Sequence, residues 1–411
     1  MTLLLIVAYL LTVFLRLGLV WLNLRHRALH AGRVPPELGA AYDQATLRAS
    51  LAYARDRERL ELVRIAVTAV IVLAWLFGGG LSAYDDWTRR MSSSAVPQAI
   101  LFFVGLQLAV SLLELGWDAI ATFLVEKRHG FNKTTAGLFL QDAFKSALIG
   151  ALLVAVVAAG GMALFEWTPS WYWLWFWGFA AVFSILLILI APIVIEPLFI
   201  KTSPLADQEL AHEVQQLAQK ASVRVSAVLQ SDASRRTAHS NAYFTGIGPV
   251  KRVVLFDTLL ERLEPREVLA VLAHELGHTR LKHVPRRLYA TALVALVALF
   301  AASRVLDQAS LFSALGLGQA SVSARVVLVG FVGSIIGFLA TPLSTYLSRR
   351  QEWQADRFAA KLTQHPEDLS SALVKLARDN RADPNPHPVT SAFYDSHPRV
   401  HQRVVALRST R

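Results

Sequence analysis

Stretches of about 20 residues with almost no charge recur along this chain, and each is long enough to cross the hydrocarbon of a bilayer as a helix. Seven stand out, near residues 2 to 23, 62 to 83, 98 to 124, 146 to 165, 171 to 198, 289 to 308 and 325 to 347. With 54% hydrophobic and 17% charged residues in 411, the chain is too apolar for an ordinary soluble protein of its size. The first run reads as a retained helix rather than a cleaved signal peptide. Arg16 interrupts it, no basic stretch precedes it, and no small-residue cleavage site follows it.

Lys and Arg collect in the loop after the first run (Arg25, Arg27, Arg33, Arg48, Arg55, Arg57, Arg59) and in the loop after the third (Lys127, Arg128, Lys133, Lys145). By the positive-inside rule these loops face the cytoplasm, which puts the N-terminus outside and the C-terminus inside. The net charge of +11 is therefore read as membrane topology. It does not indicate nucleic-acid binding, because the basic residues lie between apolar runs and form no stripe with interleaved aromatics. The chain then divides into a membrane region over 1–200, a cytoplasmic part over 201–288, two further spans over 289–347 and a cytoplasmic C-terminal part over 348–411. In the first cytoplasmic part a helix over Asp207 to Lys220 precedes three strand-like stretches: Val223 to Leu229, His239 to Gly246 and Arg252 to Phe256. Gly246, Gly248 and Pro249 supply the turn before the last.

A helix from about Pro265 carries His274, Glu275 and His278. Side chains four apart lie one above the other on a helix, so both imidazoles can reach one metal. Glu275 is rotated by about 100° from His274, close enough to reach a water on that metal without being a ligand. Gly277 between them permits close approach of a neighbouring element. The chain has no cysteine, which excludes disulfides, thiol nucleophiles and thiolate-held metals, so a zinc site must use His, Asp or Glu. A catalytic zinc takes three protein ligands, and Glu352, just after the last apolar run, completes the set. Asp356, one turn further, is placed to accept a hydrogen bond from a ligand imidazole. His283 and His387 lack ligand spacing and are expected to be structural or exposed.

Several stretches together resemble the CAAX prenyl endopeptidase family, integral-membrane zinc metalloproteases that trim prenylated C-termini. They are His274-Glu275-Leu276-Gly277-His278, Glu352-Trp353-Gln354-Ala355-Asp356, the loop from Glu126 to Lys133, His239 to Phe244, Val253 to Leu259, and Ser396-His397-Pro398. The resemblance implies one zinc ion per chain on His274, His278 and Glu352, with Glu275 as general base and Asp356 orienting a ligand. It implies His397 beside the developing oxyanion and Arg403 holding that segment in place. It also implies that Asn241 and Ala242 belong to an edge strand along which substrate lies.

The expected fold is an α-helical integral membrane protein of about seven transmembrane helices, with a gluzincin-like zinc metalloprotease unit of helices and a small β-sheet on the cytoplasmic side. The expected function is hydrolysis of peptide bonds in membrane-associated or prenylated substrates. The absence of cysteine and the wealth of Ala, Leu and Arg suggest a bacterial inner membrane. A quality-control protease like HtpX shares the zinc motifs but has fewer apolar runs. From another class, a non-catalytic membrane scaffold or a transporter is the competitor, and an intact Glu275 argues against it. Glu114 and Asp118, inside the third run, are costly in hydrocarbon. They are expected to face a water-filled chamber, or else to pair with Arg16 or Arg64.

Overall fold

The structure, a computed structural model, describes residues 1–30, 33–39, 41–245 and 251–409. The turn assigned to Gly246, Gly248 and Pro249 lies outside the described residues. Among the described residues, seven helices are long and apolar enough to cross a membrane. They contain α1 (Thr2–His30), α2 (Gln44–Phe77), α4 (Ala95–Ile120), α5 (Ala136–Trp167), α6 (Tyr172–Ile190), α10 (His283–Leu306) and α12 (Val322–Thr363). The shorter helices are α3 (Gly80–Met91), α7 (Gln208–Lys220), α8 (Asp257–Leu260), α9 (Pro265–Arg280), α11 (Ala309–Ala314), α13 (Pro366–Asp379), α14 (Pro388–Tyr394) and α15 (Val400–Arg408).

The second apolar run is not one span to residue 83. Helix α2 stops at Phe77 because Gly78 and Gly79 follow, and Gly79 takes φ +92°, a left-handed turn that opens α3. Helix α3 then folds over the bundle end remote from Glu352. Its buried Asp85 accepts a hydrogen bond from Ser321 N at 2.9 Å, and Arg89 donates to Gln319 O at 2.8 Å. Leu81, Phe102, Phe312, Leu317, Leu328 and Phe331 form the core beneath it.

At the other end a four-stranded sheet has the order β1 (Thr202–Pro204), β2 (Ala227–Ser231), β4 (Arg252–Phe256), β3 (Ala242–Thr245). β1 and β2 are antiparallel, β2 and β4 parallel, and β4 and β3 antiparallel. Strand β4 is central, which is why Val253, Val254 and Leu255 are buried in succession with no polar alternation. β3 ends the sheet, with Ala242 opposite Leu255. One core joins α7 (Leu210, Val214), α9 (Val268, Leu272, Leu276), α13 (Leu369, Ala372) and α12 (Ala359) to this sheet.

Candidate metal centre

Helix α9 starts firmly. Pro265 sits at its first position, where the missing N–H costs nothing. Glu267 accepts from the Glu264 N–H at 2.9 Å and is tied to α13 by Ser371 Oγ at 2.6 Å and Lys375 Nζ at 2.8 Å. About three turns on, α9 presses against α12. A Cβ on Gly277 would stand 3.1 Å from Ala355 Cα and 3.2 Å from its carbonyl oxygen, so even a methyl there would push α12 back by a few tenths of an ångström. Gly277→Val is expected to cost about 1–3 kcal/mol in overpacking, read as a lower Tm together with reduced metal content.

That contact carries α12, the seventh membrane-spanning helix, past its apolar part until Glu352 faces the two histidines. The Nε2 atoms of His274 and His278 are 3.2 Å apart. Glu352 Oε2 lies 3.3 Å from His274 Nε2, and Oε1 lies 3.2 Å from His278 Nε2. One donor atom from each of the three residues falls within 4.8 Å of the others. A tetrahedral zinc with bonds of about 2.0–2.2 Å spaces its ligand atoms about 3.3 Å apart, so these residues fit the ion. Glu352 Oε2 is also buried without a hydrogen-bond donor, a lone-pair-bearing atom left for a cation.

The remaining ring nitrogens fix the imidazoles. His274 Nδ1 is 2.8 Å from Asp356 Oδ1. Burial opposes a charge on His274, yet the Asp356 carboxylate on one ring nitrogen and the Glu352 carboxylate beside the other hold its pKa up at about 9, the mark of a site that attracts a cation. Arg403 clamps Asp356 with Nε at 2.8 Å and Nη2 at 2.6 Å, and both groups are buried. On the other histidine, His278 Nδ1 is 3.0 Å from His283 Nδ1, and His283 Nε2 is 2.9 Å from Gln354 Oε1. With Gln354 presenting its oxygen, His283 donates from Nε2 and accepts from His278 Nδ1–H, which leaves His278 Nε2 bare toward the metal position. His283, 1% exposed, is therefore structural, as expected from spacing, although its contact with a candidate ligand was not foreseen. His387 begins α14, its Nδ1 accepting from Val389 N at 3.2 Å. Asp356→Asn is expected to weaken metal binding about 10–100-fold, measured by chelator competition.

Glu275 makes no hydrogen bond among the described residues, and burial pushes its carboxyl above the ordinary carboxylate range. His397 stands at the rim, 62% exposed, with Nε2 3.5 Å from Glu352 Oε2 and Nδ1 2.9 Å from Ser396 Oγ. Asn241 is exposed, and Ala242 opens β3 and packs into the sheet core.

The loop from Glu126 to Lys133, to which residue types assigned no chemistry, is a junction. Glu126 accepts from Tyr53 OH at 2.6 Å, and its other oxygen lies 3.3 Å from His239 Nε2. His239 stacks on Phe131 at 4.0 Å and meets Asn380 at 3.2 Å. The segment leading into β3 is thereby fastened to α2, to the helical turn that continues α4 and to the end of α13. Beside it a cavity of about 1080 Å³ is lined by Arg27, Glu58, Arg64, Asp118, Glu126 and Asp395 among others. Asp118 thus faces a polar cavity, whereas Glu114 pairs with Arg64 at 2.5 Å. Arg16 instead lies 4.6 Å over the Phe338 ring. A smaller cavity of about 340 Å³ shares Ala382, Asp383, Tyr394 and Asp395 with the large one and reaches His397.

The family described as CAAX prenyl protease N-terminal, five membrane helices, matches residues 23–201, and peptidase family M48 matches residues 204–411. The CAAX prenyl protease 1 homolog of Arabidopsis thaliana is 30% identical over 400 residues, covering 94% of this chain and 93% of its own. The Homo sapiens CAAX prenyl protease 1 homolog is 30% identical over 425 residues, covering 92% and 89%. The crystal structure of S. mikatae Ste24p superposes with a TM-score of 0.93 at 25% identity, over 99% of this chain and 98% of that one.

Proposed function

The chain belongs to the CAAX prenyl protease 1 family of M48 peptidases, and from that premise we propose that His274, His278 and Glu352 hold one zinc ion and that Glu275 is the general base of this membrane endopeptidase. The triangle of donor atoms at 3.2–3.3 Å supports the reading. Bound there, zinc supplies Lewis acidity that lowers the pKa of a water from about 15.7 to about 7. Glu275, raised by burial and free of hydrogen bonds, takes a proton from the attacking water and returns it to the leaving amine nitrogen. His397, at the rim, donates to the oxygen on which charge develops. Asp356 and Arg403 hold the His274 ring at its angle. The outer edge of β3, from Asn241 and Ala242 onward, accepts the peptide as an added strand.

The substrates we propose are membrane-associated polypeptides with a lipidated C-terminal region, held where the polar cavity meets the His397 cavity. The basic loops support an external N-terminus and a cytoplasmic metal centre, and the absence of cysteine with the wealth of Ala, Leu and Arg supports a bacterial inner membrane. Metal analysis and cleavage of a fluorogenic peptide, with and without a C-terminal prenyl group, test both parts. One zinc per chain, loss of cleavage on chelation and its return with added zinc are expected, with the prenylated peptide cut faster. Cleavage that persists without metal sinks the mechanism, whereas equal rates on both peptides remove only the lipid preference.

A further inference from the structure

His397 reaches the rim of the metal centre on a side chain that is 62% exposed, so its place there is set by the backbone that carries it. That backbone is a small closed body. The buried Ser391 donates from Oγ to Asp395 Oδ2 at 2.5 Å and accepts from Arg399 Nε at 3.4 Å, so the residues two before and two after His397 meet one hydroxyl. Asp395 N also donates to Ser391 O at 2.9 Å. The stretch from Ser391 to Arg399 is thereby tied into one unit.

Its attachments differ along its length. At the start, α14 hangs from α1: Asn23 Oδ1 accepts from His387 N at 2.7 Å, and Leu19 O accepts from Thr390 Oγ1 at 3.1 Å. Beyond Arg399 the chain enters α15, which Arg403 fastens to Asp356. Between them the unit lies along α12, where Phe338, Thr345, Arg349 and Glu352 recur at helical spacing. Phe338 meets the Phe393 ring at 5.1 Å. Thr345 Oγ1 reaches Ala392 O at 3.1 Å, but Pro342 O stands at the same distance, and a hydroxyl has one proton to share. Arg349 is the committed donor. Its Nη1 is 2.7 Å from Asp395 O, two residues before His397.

Arg349 precedes Glu352 by about one turn of the same helix, so one rigid element presents the candidate metal ligand and grips the segment of His397. We propose that Arg349 is a positioning residue of the hydrolysis: by holding the Asp395 carbonyl against α12, it keeps His397 at a fixed offset from Glu352. This rests on the reading of His397 as the donor to the developing oxyanion. Arg349 acts through the backbone and touches no reacting atom. A planar, permanently charged guanidinium suits the task, since its bond to a carbonyl has a set direction. Precision matters there, because a displacement of about 1 Å at a reacting centre costs up to about 10²-fold in rate.

The full-length protein with Arg349→Met, which keeps the stem and removes the donors, tests this beside Arg349→Lys, which restores one. On a fluorogenic peptide, Arg349→Met is expected to lower kcat about tenfold, inside the about 10²–10³-fold that one oxyanion donor supplies, with KM and zinc content unchanged. Arg349→Lys should recover most of the loss. In a His397→Ala background Arg349→Met should lower kcat no further, because residues acting through one donor do not add. Hydrogen exchange reads the same contact without catalysis. The amides from Ala392 to Asp395 should exchange several-fold faster in Arg349→Met, while those from Val268 to His278 keep their rates. Arg349→Gln, too short to reach the carbonyl, takes the place of the methionine variant if that fails to fold. A wild-type kcat overturns the proposal, and so does an equal loss in the His397→Ala background. His397→Ala at the wild-type rate removes the donor reading instead. Exchange alone then decides whether Arg349 holds the segment, and unchanged exchange overturns that too.

Discussion

Replacing Glu275 with Gln is expected to lower kcat/KM for peptide cleavage by about 10²–10⁴-fold, the usual contribution of a positioned acid–base group, while zinc content stays at one per chain. The substitution keeps the shape of the side chain and removes only its basicity. Nothing else leans on that carboxyl, since it makes no hydrogen bond among the described residues. Its pKa is already raised by burial, so a neutral amide there relieves a buried charge, and Tm should hold or rise slightly. Loss of activity with metal and stability intact separates a base from a ligand. A Glu275→Gln enzyme that cleaves at the wild-type rate would end the assignment.

How far the molecule is legible in its sequence follows from the range of the physics at each place. Spans are legible because hydrocarbon demands a continuous apolar length, and seven such helices stand where seven runs were read. The second run misleads at its end, because Leu81 continues the apolar pattern although Gly78 and Gly79 have already turned the chain. β1 leaves no trace, since its three residues Thr202–Pro204 are all exposed and carry no alternation. His274 and His278 are legible because a helix fixes their separation, Glu352 because a three-ligand zinc needs a carboxylate and one follows the last apolar run, and Asp356 because it lies one turn further. His283 is not. Lys282, at φ +57°, breaks the helix and swings it back onto His278, a turn that spacing arithmetic does not foresee. The junction of Tyr53, Glu126, His239 and Asn380 is harder still, because its partners lie more than 70 residues apart and meet only when the bundle closes.

That long-range assembly underlies the second large effect, expected from Glu352→Gln. The two histidines lie on α9, which leads into the span α10, and Glu352 lies on the helix of the seventh span, so a metal among them ties the sheet-bearing part to the membrane bundle. Replacing the carboxylate, whose Oε2 lies 3.3 Å from His274 Nε2 and whose Oε1 lies 3.2 Å from His278 Nε2, by a neutral amide leaves two imidazoles and too few ligands for the ion. Zinc content is expected to fall below a tenth of an ion per chain, on the order of what loss of a ligand does to such a site, and hydrolysis to fall with it. The thermal signature should set this variant apart. With free zinc about 1,000-fold above its Kd, the wild type gains about 4.1 kcal/mol from binding, so its Tm drops on chelation. Glu352→Gln should melt at the same lower temperature with or without chelator, whereas Glu275→Gln keeps the full difference. Retention of a full complement of zinc by the Glu352 variant would mean that the third ligand is another group, and that α12 approaches α9 through the Gly277 contact without being held there by metal.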